Sequence, residues 1–192
     1  MAKRKASGAA PISGTANRLG ALALALTDRT DQAVAEAAGG SETAAASLSA
    51  LHHFLEDPSI ELLARVVGLS HSGAVRLVDR LERDQLVRRQ PGPDRRSTVV
   101  SLTDAGRGAA GHLGSARAQV LDAALEALSP SEQEVFDGLI GRVLVSLMRE
   151  PGTAGWMCRL CDTDGCGRSR AECPVANEAV ARYAIDLETS PS

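Results

Sequence analysis

The stretch Gly68-Leu69-Ser70-His71-Ser72-Gly73-Ala74-Val75-Arg76-Leu77-Val78-Asp79-Arg80-Leu81 decides how the chain is read. Gly68 permits a sharp turn, and Ser70 offers a side-chain oxygen to the free N–H groups of a following helix. Val75, Val78 and Leu81 recur at helical spacing and predict the buried face. The opposite face then carries Ser70, His71, Ser72, Gly73, Arg76 and Arg80. Small polar residues at the start of such a helix let it approach a groove floor, and arginines further along reach guanine edges or phosphates. That pattern is the recognition half of a helix-turn-helix.

A basic hairpin comes directly after it. Residues 86–90 (Leu-Val-Arg-Arg-Gln) predict a strand, 91–94 (Pro-Gly-Pro-Asp) a turn and 97–102 the returning strand. Such a hairpin behind a recognition helix is a wing. Its tip arginines, Arg95 and Arg96, suit the narrow, electronegative minor groove, and Asp94 beside them is placed to orient one by a charge-assisted pair. Arg88 and Arg89 alternate along the strand, so one faces phosphate, taken to be Arg88, and the other is solvated.

Upstream, residues 1–15 are rich in Gly, Ala, Ser and Lys/Arg without periodicity and are read as a disordered basic tail. Leu19, Leu22, Leu26 and Val34 predict a helix over 16–38. Ser41 caps a second running to Leu55, and Pro58 opens a third that Gly68 stops. Downstream, Thr103 caps a long helix to about residue 127, and Ser129-Pro130-Ser131-Glu132 is a capping box for another carrying Val135 through Leu147. The fold class is mainly α with a small β-wing.

Three runs in this order carry a family resemblance: Leu81-Glu82-Arg83-Asp84-Gln85-Leu86-Val87-Arg88-Arg89, then Pro93-Asp94-Arg95-Arg96-Ser97, then Val100-Ser101-Leu102-Thr103-Asp104-Ala105-Gly106. Residues 16–150 resemble the MarR family of winged helix-turn-helix regulators. The resemblance implies flanking N- and C-terminal dimerisation helices, a homodimer on a near-palindromic operator in double-stranded DNA, usually repression, and an unidentified small-molecule effector. His71 stands where many relatives have proline and Gly73 where a hydroxyl residue is common, so the base preference is this chain's own.

The charge balance agrees. The chain is net −3, yet residues 1–119 carry 15 basic and 12 acidic side chains, whereas 120–192 carry 6 and 12. A basic face therefore coexists with an acidic whole. The Ser70-His71 pair has no oxyanion loop or nucleophile elbow beside it, and no enzyme is read. No signal peptide or membrane span is read either, and a cytoplasmic location is expected.

The four cysteines lie beyond the resemblance. Cys158, Cys161, Cys166 and Cys173 fall in one segment spaced C-x2-C-x4-C-x6-C within residues 151–192, which read as an appended module ending in a helix over 176–187. In a reducing compartment such clusters are metal ligands or redox groups more often than disulfides. Zinc ranks first, because four thiolates close a tetrahedron. An iron–sulfur cluster ranks just behind, Cys173-Pro174 being similar to the Cys-Pro of bacterial ferredoxins. A thiol switch on Cys158 and Cys161 and a pair of structural disulfides complete the alternatives. A different functional class also stays open, a winged helix used for protein interaction whose cysteine segment recruits a partner.

Overall fold

A computed structural model of the chain describes residues 12–38, 41–92, 97–150 and 152–183. The order is α1 (Gly14–Ala38), α2 (Glu42–His53), α3 (Ile60–Val67), α4 (His71–Arg83), β1 (Val87–Pro91), β2 (Thr98–Leu102), α5 (Asp104–Leu125), α6 (Pro130–Ser146), α7 (Thr153–Met157) and α8 (Pro174–Tyr183). The fold is mostly helical, with one small antiparallel sheet, as the sequence predicts.

Local signals set most boundaries. The hydroxyls of Ser59, Ser70 and Thr103 accept from the backbone N–H of Leu62, Gly73 and Gly106 at 3.1, 3.2 and 3.0 Å, opening α3, α4 and α5. Gly68 ends α3 in the left-handed region at φ 70°, which glycine adopts without a Cβ clash. The Glu132 carboxylate accepts from both the Ser129 N–H and its hydroxyl at the start of α6.

The core gathers α2, α3, α4 and α5 around the sheet. Leu63, Val78, Leu81, Val87 and Val100 are fully buried, with Leu48, Val67, Leu77 and Leu113 beside them. Two sequence expectations are corrected here. The inward face of α4 is Ala74, Leu77, Val78 and Leu81, with Val75 only half-buried. Pro58 does not begin α3; Ser59 is the cap. Pro58 instead lends its carbonyl to the Val100 N–H at 3.0 Å, and Ser59 bridges Val99, adding a short third edge to the wing. A proline serves there because that position needs an acceptor and no donor.

Boundaries shift elsewhere for similar reasons. The first helix starts at Gly14, and the expected basic tail lies, for residues 1–11, outside the described residues. α2 stops at His53, where Phe54 leaves helical geometry. The last helix begins at Pro174, and residues 184–192 lie outside the described residues.

Candidate nucleic-acid interface and thiol cluster

The wing is an antiparallel hairpin in which Val87 opposes Leu102, Arg89 opposes Val100 and Pro91 opposes Thr98. Its base closes by an unusually near approach. A Cβ on Gly106 would overlap the Leu86 carbonyl oxygen, and Thr103 donates its hydroxyl to the Gln85 carbonyl at 2.6 Å. Only glycine lets α5 leave the sheet this tightly.

Ser70, His71, Ser72 and Arg76 are exposed at the front of α4, and Gly73 is half-buried behind the Ser70 hydroxyl. Ser72, Arg76 and Arg80 recur every fourth residue and so share one helix face. Their situations differ. Among the described residues Arg76 donates no hydrogen bond, whereas Arg80 reaches the Ser41 hydroxyl at 2.8 Å and ties α4 to the start of α2.

The two strand arginines also separate. Arg88 is exposed, with its guanidinium against the side-chain carbonyl of Gln90. Arg89, expected to be solvated, turns back onto α4 and holds Asp79 at 2.6 Å and Glu82 at 2.5 Å, while its backbone N–H donates to Glu82 at 3.0 Å. These bonds, the backbone one foremost, lower the Glu82 carboxyl below its ordinary range. Arg89 is thus the strut between helix and wing. Asp94, Arg95 and Arg96 lie outside the described residues.

The four cysteines are all free thiols and come together. They line one cavity of about 670 Å³ together with Phe54 at the end of α2 and Leu62 and Val66 of α3. The Cys166 thiol donates to the Thr163 carbonyl at 3.6 Å. The neighbouring Cys158 thiol lowers the Cys161 thiol to about 6, with Arg117 of α5 adding to the effect, while the same proximity and burial push Cys158 up. Burial raises Cys166. Among the described residues no three such side chains close on a point as a finished ligand set; the four thiols line one space.

The segment is not suspended from the end of α6. The Trp156 indole lies against the helix-turn-helix turn, its Nε1 3.3 Å from where a Cβ on Gly68 would stand. The Arg159 guanidinium covers the Trp156 ring at 4.2 Å and points to Glu42 at 3.5 Å. Thr163 donates to the His53 carbonyl at 2.9 Å, and Arg168 lies over Phe54. On the other side Pro174 packs on Gly141 of α6, where a Cβ would stand 2.9 Å from the proline ring. None of these contacts is announced by a local motif. Only the isolated Trp156 two residues before a Cys-x2-Cys knuckle marks the place.

These features define a winged helix-turn-helix, with α3 and α4 as the paired helices and β1–β2 as the wing. Residues 42–97 match the sequence model of the MarR family. No curated protein matches the chain. Among solved structures it is similar to MepR, a transcription regulator of the Staphylococcus aureus multidrug efflux pump MepA, at 17% identity and TM-score 0.60 over 71% of this chain and 100% of that one. A MepR variant bound to an oligodeoxyribonucleotide matches at 18% identity and TM-score 0.53, over 71% and 100% of the two chains. A MarR-family transcriptional regulator from Silicibacter pomeroyi matches at 25% identity and TM-score 0.54, over 69% and 91%. The chain thus shares the fold of these transcription regulators. The cysteine segment lies outside the family match, and no described helix is long and apolar enough to cross a membrane.

Proposed function

We propose that this chain is a sequence-specific DNA-binding transcription regulator of the cytoplasm that acts as a homodimer on a near-palindromic operator and represses. The observation that carries the reading is the state of α4. Its inner face is fixed in the core by Ala74, Leu77, Val78 and Leu81, and its front offers Ser72 and Arg76 to solvent beside a wing braced by Arg89. A rigid helix with a small polar tip and an exposed arginine is what major-groove reading needs. Structural similarity to a MepR variant bound to an oligodeoxyribonucleotide supports the same use.

The homodimer is argued from apolar surface that the single chain leaves uncovered. Val135, Leu139, Val143 and Leu147 recur every fourth residue along α6 and are 42–65% exposed; Leu19 and Leu22 of α1 are exposed as well. Rows of this kind mark helix partners. In a two-fold pair the recognition helices would lie about one DNA turn apart, roughly 34 Å.

The test is binding of the full chain to the DNA upstream of its own gene across a salt series. Log affinity is expected to fall linearly with log salt, as counterions leave the neutralised phosphates. Arg76→Ala should weaken binding, and the double change at Arg95 and Arg96 to alanine should weaken it and flatten the slope. Salt-insensitive binding, or the same affinity in these variants, would overturn the assignment; capture of a protein partner in place of DNA would favour an interaction module.

A further inference from the structure

The segment from 152 to 183 has little with which to hold itself together. Between α7 and α8 it contains only a three-residue helical turn, and three of its backbone sites, Gly152, Gly167 and Ala171, sit at positive φ. Its core consists of Cys173, Val175, Ala176 and Ala179 with Met148, and half-buried Leu144, Ala154, Met157, Cys158, Cys166 and Tyr183 pack against it. A loop-rich unit of this size needs a staple.

The chain is shaped for one. The Asp162 carboxylate accepts from the Asp164 and Gly165 N–H groups at 2.9 and 3.3 Å, turning the backbone between Cys161 and Cys166. The Cys161 N–H bonds the Cys158 carbonyl at 2.8 Å, closing the Cys-x2-Cys knuckle. The four thiols then line a single cavity that is walled by Leu62 and Val66 of α3.

We propose that Cys158, Cys161, Cys166 and Cys173 together bind one thiolate-ligated metal centre, a zinc ion or an iron–sulfur cluster, which locks this segment onto the helix-turn-helix and so controls DNA reading. On binding zinc, the S–H protons leave to solvent and the four sulfurs donate their electron pairs to the ion, with no change of oxidation state; a cluster takes up the same thiolates around ferric and ferrous iron and sulfide supplied at those oxidation states. The consequence for α4 runs through identified contacts. Three residues of the segment, Trp156, Thr163 and Arg168, touch the α3–α4 turn at Gly68 and the end of α2 at His53 and Phe54. Pro174 fixes the other side to α6 at Gly141. The centre thus sits between the reading helices and the helix that carries the exposed apolar row. Metal binding stands by itself; control of operator affinity rests on the DNA-binding function proposed above.

The experiment uses the full chain purified without oxygen, with metal content and visible absorption measured first. One zinc per colourless chain, or iron with matching sulfide and a brown colour, supports the centre and tells the two apart. The metal-stripped chain is then titrated with zinc alone, or with mixed ferric and ferrous iron and sulfide, while Trp156 fluorescence is followed. A change that saturates at one centre per chain is expected, absent from a variant with all four cysteines changed to serine. No metal on purification and no saturable uptake of either kind by the wild-type chain would overturn the site. So would equal uptake by the serine variant. Stripping should lower operator affinity at least tenfold, and Trp156→Ala should keep the metal while losing most of that dependence. Unchanged affinity after stripping would overturn the control; a loaded chain that binds no DNA would instead overturn the regulator function.

Discussion

Arg89 shows how one side chain can take a different task from its neighbour on the same strand. Both arginines alternate off β1, but the face of Arg89 looks onto α4, where Asp79 and Glu82 are waiting one turn apart. The partly exposed pair adds modestly to stability, and its main effect is to fix the angle between reading helix and wing. It carries a pH signature. Glu82 is held below its ordinary value in the folded chain, so the unfolded chain takes up the proton more readily. Stability from this contact is therefore complete above the ordinary glutamate range and is lost as pH falls through the lowered folded value. Glu82→Gln should remove part of the acid-side slope in a denaturation series from pH 6 to about 3; an unchanged slope would refute the clasp. Gly106 gives a second expectation. Gly106→Ala forces a methyl against the Leu86 carbonyl and should cost about 1–3 kcal/mol in urea unfolding, whereas Gly108→Ala, with open space around it, should cost nothing.

At the scale of elements, the helix starts were legible because capping is local. Ser70, Thr103 and the Ser129–Glu132 box each act within four residues of themselves, and the sequence alone carries that distance. Gly68 was legible for the same reason. Pro58 was not, since its carbonyl is claimed by Val100, 42 positions away, and no nearby residue reports it. The buried face of α4 was legible in period but displaced in detail, because Ala74 is small enough to count as neutral until the helix is set on its neighbours. α6 yields the clearest expectation here. Its row from Val135 to Leu147 is exposed in the single chain, and Leu139→Glu should place a charge in the middle of the proposed homodimer contact. Sedimentation should show at least a tenfold weaker dimer, about 1.4 kcal/mol. A variant that associates as tightly as the parent would move the interface elsewhere.

For the whole molecule, the four cysteines were plain as a group, and their spacing pointed to a common ligand. Their position was not. The contacts of Trp156 with Gly68 and of Thr163 with His53 join residues about 90 and 110 apart, which no pattern within the segment encodes. The expected appended module therefore touches both the helix-turn-helix and α6, and what happens at the thiols has a physical route to α4. Everything downstream of that route depends on α4 reading DNA. The most direct measurement is the affinity of the full chain for its own upstream DNA as a function of salt, set beside Arg76→Ala. The account predicts a steep linear fall of log affinity with log salt, and weaker binding in the variant with a slope shallower by about one for each phosphate the arginine neutralises. Equal affinity and equal slope in the two proteins would contradict it.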